Sequence, residues 1–400
     1  MVLNKLSVLA LFFFVSSTSY AQLKAGDSAP ELNITNWIKN VPESKDLNGK
    51  FVIIDFWATW CAPCLESVPH MDSLVNKFKN THNLVFLALT DEKVDKVNLL
   101  LKRVSFASAV VTDTTGRTMD DFKVSSIPYC VVIDEKRQIK WAGNPADLTQ
   151  EAISNVMEGK DVAPVVKTES STPEATKTMY RALHKSYVKA FDDNSLKEYF
   201  SMEPLNSHGM GAMWSRGGGK NTHKEAAVGV GLIGSISNLL DVADIQILVP
   251  DNISKSYISY CYKSEVKNTS KDVLDSVLHH LNLRYTVADS LMNVIQLEVA
   301  DKDLFNKFAF ETVVGRVGHA SSSATYAAVD HVNFSGLKSA IEEKFKKIVV
   351  FKNESNFNKN VSMTIRIDTL ENLISTLGEY GVKVSMVKKK LPVFRFVQIN

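Results

Sequence analysis

Cysteine is scarce in this chain, and so are excess charge of one sign and long apolar runs. The 400 residues include 4 cysteines, and 46 basic against 44 acidic side chains leave a formal net charge of +2. So small an excess provides no electrostatic attraction for nucleic acid or for an anionic membrane surface. Beyond the N-terminus, no uninterrupted apolar segment approaches the length of a membrane span. The sequence therefore predicts a globular protein, and its length predicts two or three domains.

Metal ions and nucleotide cofactors have little support in the sequence. The pair Cys61-x-x-Cys64 has no second pair elsewhere, so it supplies only half of the ligands of a zinc site. The glycines of residues 229–234 match the spacing of a dinucleotide-binding loop, but only the apolar residues 226–228 precede them where a full strand is needed. We read these glycines as a turn that leads into a helix, and we predict no cofactor.

The N-terminus has the pattern of a secretory signal peptide. Lys5 precedes an apolar run from Leu6 to Val15, and Ser19 and Ala21 supply the small residues that signal peptidase accepts. The run is short for a membrane span, so an uncleaved anchor is the less favoured alternative. We expect residues 1–21 to be removed and the mature protein to reach a Gram-negative periplasm without direct insertion into the membrane.

The clearest chemistry lies where an apolar run, residues 52–56, leads towards Cys61 and Cys64. A thiolate at the start of a helix lies at the positive end of the helix dipole, with free backbone N–H groups pointing at it. The pKa of the Cys61 thiol should therefore fall, which makes Cys61 the expected nucleophile. Cys64, one turn further along, is placed to attack the mixed disulfide. Pro63 suits the first helical turn, where its missing N–H removes no hydrogen bond.

The other two cysteines are either free or joined in a disulfide, because an exported protein can form disulfides. Cys130 and Cys261 each lie in an apolar, strand-like run, where a free cysteine behaves as a small hydrophobe. We expect both to be buried and unpaired. A bridge between them is the alternative that the sequence leaves open.

Alternating strands and helices predict an α/β layer arrangement for the first part of the chain. The run 51–56 is almost wholly apolar, as in a central strand that is covered on both faces. Residues 65–78 carry an apolar stripe at helical spacing. The elements predicted after them are a strand at 84–89, a helix at 94–104, a hairpin of 129–133 with 139–141, and a helix at 148–157.

Three features of this part point to one family. They are the sequence DFWATWCAPC at residues 55–64, Pro69 in the helix that follows, and Ile127-Pro128 ahead of a strand. With them, residues 22–159 resemble the thioredoxin superfamily and, within it, the exported TlpA/ResA-type thiol-disulfide oxidoreductases. The resemblance implies a thioredoxin fold and a dithiol that reduces protein disulfides. It also implies a membrane-bound electron donor that recharges the dithiol.

The resemblance further implies roles for single residues. Asp55 should lie beneath the active site as the proton acceptor for Cys64. Pro128 should be cis, facing the disulfide and aligning the substrate chain. Many relatives carry Glu at the position of Ser67, so proton transfer should depend here on Asp55 alone. The residues expected to contact the substrate flank these positions: Trp60, Ala62, Pro63 and Ile127.

The second half of the chain shows a repeated order of elements rather than a chemical motif. Residues 161–178 are rich in Pro, Ser, Thr, Glu and Lys and are predicted to form a linker, followed by a helical and loop connecting segment at 179–228. Residues 229–400 then contain two stretches with the same predicted order, which indicates an α+β domain with a tandem α-β-β-α-β-β repeat. This half weakly resembles a domain of unknown function attached to TlpA-like proteins, and that resemblance implies no activity.

Two functions follow as hypotheses. In the first, the protein is a periplasmic thiol-disulfide oxidoreductase whose C-terminal repeats dock a partner or substrate protein. In the second, it is an envelope binding or sensory protein whose C-terminal repeats recognise a ligand or partner, and the thioredoxin domain only modulates that contact.

Overall fold

The chain folds into two compact units, divided between residues 165 and 166. A computed structural model describes residues 23–160, 162, 174–205, 212–217, 223–266, 269–311 and 318–399. The predicted signal peptide and most of the predicted linker lie outside the described residues. Among the helices that are described, none combines the length and the apolar character that crossing a bilayer requires.

Within its described residues, the first unit is built on one sheet of six strands with four helices. The strands are β1 Asn36–Lys39, β2 Phe51–Phe56, β3 Leu84–Thr90, β4 Ala109–Thr112, β5 Tyr129–Ile133 and β6 Ile139–Gly143. The helices are α1 Ala62–Lys77, α2 Val94–Leu101, α3 Arg117–Asp121 and α4 Gln150–Met157.

The sheet has the order β1-β4-β3-β2-β5-β6 and places β2 at its centre. Strands β2, β3 and β4 run parallel, and β5 runs antiparallel to β2. Because side chains alternate along a strand, β2 contributes to a core on each face. One core holds Val52 and Ile54; the other holds Phe51 and Ile53, packed against side chains of α1 and α4. Asp55 lies two residues after Ile53, so its side chain points to the same face of the sheet as those of Phe51 and Ile53.

The predicted succession of strand, helix, strand, helix, hairpin and helix is confirmed for this unit. The predicted helix at 94–104 ends earlier, at Leu101. Strands β1 and β4 and helix α3 were not predicted, because elements of 4 or 5 residues are too short to show a period.

The second unit contains two successive sets of elements. The first set is α5 Glu174–Asp192, β7 Glu198–Leu205, β8 Ala212–Gly217, β9 His223–Gly231, α6 Leu232–Leu240, β10 Ile247–Leu248, β11 Tyr257–Ser264, α7 Ser270–His280 and β12 Leu283–Val299. The second set is α8 Lys302–Asn306, β13 Ala309–Phe310, β14 His319–Ser322, β15 Tyr326–Asn333, α9 Ser335–Phe345, β16 Val349–Lys352, β17 Asn360–Arg366, α10 Leu370–Gly378 and β18 Val382–Gln398.

The part of the second unit that the structure describes contains three four-stranded sheets. Their orders are β7-β11-β9-β8, β13-β17-β15-β14 and β10-β18-β12-β16. In the third sheet, β12 and β18 pair antiparallel along their whole length of 17 residues. Short parallel strands flank them, β10 beside β18 and β16 beside β12. The second unit is therefore an α+β structure, as predicted.

The predicted α-β-β-α-β-β unit is wrong in its last two strands. The sequence suggests separate strands at 284–287 and 294–299, and again at 382–387 and 393–399. Each pair is one continuous strand, β12 or β18. The residues between the predicted strands are mostly exposed, because the middle of the β12/β18 ribbon is open to solvent on both faces, and polar or charged residues such as Asp289 and Lys389 lie among them. An exposed strand does not need the alternation that reveals a half-buried one.

The glycines at residues 229–234 lead into a helix, as predicted, but they do not form the predicted turn. Gly229 and Gly231 end strand β9, and Gly234 lies within α6. At Gly229 the backbone φ is +63°, and an added Cβ would lie 2.9 Å from the ring of Tyr180. The glycine therefore allows a close contact between backbone and ring. The segment at 179–228, predicted as helix and loop, also contains β7, β8 and the start of β9, all in one sheet.

Candidate active site

Cys61 and Cys64 form a disulfide at the start of α1. Cys61 is the N-cap residue, and its Sγ accepts a hydrogen bond from the backbone N–H of Cys64 at 3.2 Å. Both residues are buried, with 3% and 1% of their surface exposed. When the bond is reduced, the same N–H group and the helix dipole favour a negative charge on the Cys61 sulfur. The local fold thus supplies what an attacking thiolate needs.

Asp55 is a buried carboxyl group near the end of β2. Only 3% of the residue is exposed, and burial raises the pKa of its side chain to about 8. Its Oδ1 has no hydrogen-bond partner among the described residues. A carboxyl group that titrates near neutral pH can both accept and return a proton. Such a pKa is compatible with the acid–base role that the resemblance implies for Asp55, which stays a prediction.

Pro128 lies directly before β5, and the Ile127–Pro128 peptide bond is cis, as the resemblance implies. The first residue of β5, Tyr129, pairs with Phe56 at the end of β2. The chain of β2 continues from there to Cys61. The pairing of β2 with β5 therefore brings the cis-proline loop to the end of the sheet from which the disulfide segment departs.

The residues predicted to contact the substrate differ in accessibility. Trp60 and Ile127 are half-buried, and Pro63 is exposed. Ala62 is fully buried, with 0% of its surface exposed. Because its methyl group is buried in the first turn of α1, Ala62 presents no exposed side chain to a bound substrate, and a contact through its backbone stays a prediction. Trp60, Pro63 and Ile127 remain available for such a contact.

A second buried carboxylate, that of Glu92, supports the segment before Cys61. Its oxygens accept the backbone N–H of Thr59 at 2.5 Å and the Thr59 hydroxyl at 2.8 Å. Lys96 lies 2.7 Å from the same carboxylate. The sequence gives no signal for this contact, because Thr59 and Glu92 are 33 residues apart. Only the parallel pairing of β2 with β3 brings the two strand ends together.

Ser67 has no carboxylate with which to take up a proton. It is buried, and its hydroxyl donates a hydrogen bond to the carbonyl oxygen of Cys64 at 2.7 Å.

The two remaining cysteines are free and buried, as predicted. Burial raises the pKa of the Cys130 thiol well above its ordinary value and that of the Cys261 thiol to about 12. Both sulfurs therefore keep their protons at neutral pH. Within the described residues, no group of three His, Cys, Asp or Glu side chains is arranged to hold a metal ion.

Comparison with known proteins assigns the first unit. Residues 25–142 match the AhpC/TSA family. The thiol-disulfide oxidoreductase ResA of Bacillus cereus is 28% identical over 118 residues, which cover 30% of this chain and 68% of ResA. The thioredoxin-like protein YneN of Bacillus subtilis is 28% identical over 120 residues, which cover 30% of this chain and 70% of YneN. The crystal structure of StoA from Bacillus subtilis aligns with 20% identity and a TM-score of 0.29, covering 33% of this chain and 99% of StoA.

The first unit is therefore a thioredoxin-like domain of a redox-enzyme family, related in sequence to proteins named thiol-disulfide oxidoreductase.

Proposed function

We propose that this protein is a periplasmic thiol-disulfide oxidoreductase that reduces disulfides in other proteins through Cys61 and Cys64. The observation that carries the proposal is the disulfide between these residues at the start of α1. Sequence similarity to ResA supports the reaction. The apolar N-terminal run supports the location.

The reaction takes two exchange steps. The Cys61 thiolate attacks one sulfur of the substrate disulfide, forms a mixed disulfide and releases the other substrate sulfur as a thiolate. Cys64 then loses its proton to the Asp55 carboxylate and attacks Sγ of Cys61. The Cys61–Cys64 disulfide forms, and the second substrate sulfur leaves as a thiolate. Two electrons pass to the substrate, and a membrane-bound donor returns the dithiol to its reduced state.

Pro128 and Ile127 position the substrate in this proposal. They lie at the entrance to β5, next to the end of β2, and both are half-buried. An extended substrate chain can therefore lie along this loop with its disulfide over Cys61. Trp60 precedes Cys61 in the chain and Pro63 follows it in the first turn of α1, so both lie close to the nucleophile.

The redox proposal is tested by Cys61→Ser in an assay that follows insulin reduction by dithiothreitol. Loss of the nucleophile should lower the rate to that of dithiothreitol alone. Cys261→Ser removes an equally buried thiol from the second unit and should leave the rate unchanged. Turnover by Cys61→Ser equal to that of the wild type would contradict the proposal and leave the binding or sensory function in its place.

We also infer that the second unit docks protein partners through the β12/β18 ribbon, defined as residues 284–293 paired with residues 388–397. Of the neighbouring strands, β16 pairs with β12 only at 295–298, and β10 pairs with β18 only at 394–395. Within the described residues, the outer edge of 284–293 thus carries no strand. Val287 and Leu291 are 52% and 66% exposed on it. A lone two-stranded ribbon is only marginally stable in water, which favours a partner strand.

The charge of the ribbon favours one kind of partner. It carries five basic side chains against the single acidic one of Asp289: Arg284, Lys388, Lys389, Lys390 and Arg395. A second copy of the same ribbon would meet like charge, and lysines at an edge oppose such self-pairing. An extended acidic segment is the complementary occupant.

The docking proposal is tested by reversing the charges of Lys388, Lys389 and Lys390 to Glu. We expect a higher KM for an acidic protein substrate and an unchanged rate with oxidised glutathione, which is too small to span the ribbon. Lys302→Glu combined with Lys307→Glu is the control, since both lysines are exposed on the second unit away from the ribbon. Equal KM values for the triple variant and the wild type would contradict docking at this ribbon.

We further propose that the second unit contains two copies of one structural unit. The sheets β7-β11-β9-β8 and β13-β17-β15-β14 have the same order of corresponding strands. Thr269 caps α7 and Thr369 caps α10 through the same side-chain hydrogen bond to the backbone. Each short strand pairs with the long strand of the other copy: β10 of the first copy pairs with β18 of the second, and β16 of the second pairs with β12 of the first. This exchange ties the two copies together.

A further inference from the structure

Cys130 and Asp55 occupy facing positions on neighbouring strands. In the antiparallel pairing of β2 with β5, Asp55 is directly opposite Cys130. On its other side, Asp55 is in register with Ala88 of β3. Side chains directly opposite each other in an antiparallel pair point to the same face, with Cβ atoms about 4.5–5.5 Å apart. The thiol of Cys130 is therefore the polar side chain that the two neighbouring strands present to Asp55.

The elements that cover this face add little polarity. Among the buried residues of α1, Cys64 is the one that titrates, and the buried residues of α4 are all apolar. Asp55 and Cys130 are 3% and 0% exposed. Oδ1 of Asp55 has no hydrogen-bond partner among the described residues, and Sγ of Cys130 makes a long contact of 4.0 Å with the carbonyl oxygen of Val131. An unpartnered acceptor and a weakly engaged donor thus lie side by side.

We propose that Cys130 is a positioning residue for proton transfer: when Asp55 ionises, the Cys130 thiol turns from Val131 and donates its S–H to the Asp55 carboxylate. The inference rests on the proposed function, in which Asp55 takes the proton of Cys64. The Cys130 proton stays on its sulfur throughout, so no electrons or protons are exchanged with this residue.

The physical reason is the cost of a buried, unpartnered carboxylate. Transfer of a charge into an apolar environment is unfavourable unless a donor compensates it, and a thiol is a weak donor of this kind. Burial and the neighbouring Asp55 raise the pKa of the Cys130 thiol well above its ordinary value, so the sulfur remains a donor at the pH of the reaction. Cys130 therefore makes ionised Asp55 more accessible near neutral pH.

The test is the titration of the Asp55 carboxyl carbon by NMR in the full-length protein, in the oxidised and the reduced form. The wild-type midpoint is expected near the pKa of about 8 that burial gives Asp55. Cys130→Val keeps the apolar volume and removes the donor, so its midpoint should rise by about one pH unit, a tenfold change in the ratio of ionised to neutral carboxyl. Cys130→Ser restores a donor and should return the midpoint to the wild-type value or below. Cys261→Val is the control and should leave it unchanged.

A Cys130→Val midpoint equal to that of the wild type, or lower, would overturn the inference, and so would a Cys130→Ser midpoint as high as that of Cys130→Val. The same variants should shift the pH dependence of insulin reduction in the same direction. Failure of the proposed function has a separate signature, since turnover by Cys61→Ser would contradict it whatever Asp55 does. If Cys130→Val does not fold, Cys130→Ser is compared with Cys261→Ser: a Cys130→Ser midpoint at or below that of Cys261→Ser supports the inference, and a higher one would overturn it.

Discussion

The carboxylate of Glu92 binds Thr59 twice, through the backbone N–H and through the hydroxyl. Thr59 lies two residues before Cys61, so this contact fixes the segment that delivers the nucleophile to the start of α1. The Glu92 backbone is held in turn, because its carbonyl oxygen accepts the hydroxyl of Thr112 at 2.6 Å. A carboxylate 33 residues away in sequence thus anchors the active-site segment to the end of β3.

Glu92→Gln should therefore destabilise the first unit and slow the redox reaction. The amide keeps one acceptor oxygen but leaves one Thr59 donor and Lys96 without the charge they contact. We expect the free energy of unfolding to fall by about 1–3 kcal/mol, the usual cost of an unsatisfied buried polar group. Urea unfolding measures it, with Glu135→Gln, an exposed carboxylate in the β5–β6 turn, as the control. Equal losses in the two variants would contradict the anchoring role.

Asp55 should make the first unit less stable as the pH rises. Its pKa is about 8 in the folded protein against an ordinary value of 3.8, so the folded state holds a proton that the unfolded state releases between these values. Its contribution to stability is full below about pH 4 and declines up to about pH 8, with a slope approaching 1.4 kcal/mol per pH unit.

Asp55→Asn should remove this slope, which is checked by the free energy of unfolding at several pH values from 5 to 9. The variant should gain stability relative to the wild type as the pH rises. Asp120→Asn changes an exposed carboxylate of α3 and should follow the wild type. Parallel pH curves for Asp55→Asn and the wild type would show that Asp55 does not titrate in this range.

Gly381 and Gly378 should respond oppositely to alanine. At Gly381 the backbone φ is +78°, and a Cβ would lie 2.4 Å from the carbonyl oxygen of Asp301. The Gly381 carbonyl also accepts the N–H groups of Ala300 and Asp301. Gly381→Ala should therefore destabilise the second unit by more than about 1 kcal/mol. At Gly378, within α10, a Cβ meets nothing within 4 Å, so Gly378→Ala should stabilise by about 0.5–1 kcal/mol. Unfolding in urea distinguishes the two, and equal effects would contradict the packing at Gly381.

Thr269→Ala and Thr369→Ala should have similar effects if α7 and α10 are corresponding helices. Each threonine hydroxyl accepts a backbone N–H in the first turn of its helix, from Asp272 and Asn372 respectively. Loss of such a cap costs about 1 kcal/mol. Unfolding experiments on both variants measure it, and a loss in one helix alone would weaken the case for two structural copies.

The sequence predicts most of the active site because that site is local. Cys61, Cys64 and Pro63 occupy one helical turn, and Asp55 stands out as a charge within an apolar strand. The Glu92–Thr59 contact and the Asp55–Cys130 pair could not be predicted, since both depend on which strands are neighbours and in which register. Pairing register is a tertiary property that the residues of a single strand do not encode.

In the second unit, too, the sequence predicts single helices better than the pairing of strands. Helices α7 and α10 could be predicted from their apolar spacing, and the threonine at the start of each was recognised as a cap only in the structure. The continuous strands β12 and β18 were missed, because residues such as Asp289 and Lys389 resemble a turn when the partner strand is unknown. These residues form continuous strands because β12 and β18 pair along their full length, and neither strand alone shows a pattern that predicts this.

The most direct test of the redox mechanism is the Cys64→Ser variant, reduced and then incubated with oxidised glutathione. Without the resolving thiol, the mixed disulfide should accumulate, and peptide mass spectrometry should find glutathione on Cys61. The glutathione adduct is expected in Cys64→Ser, and it should be absent when Cys64→Ser is combined with Cys61→Ser. Glutathione on Cys130 in place of Cys61, or no adduct on either sulfur, would contradict it.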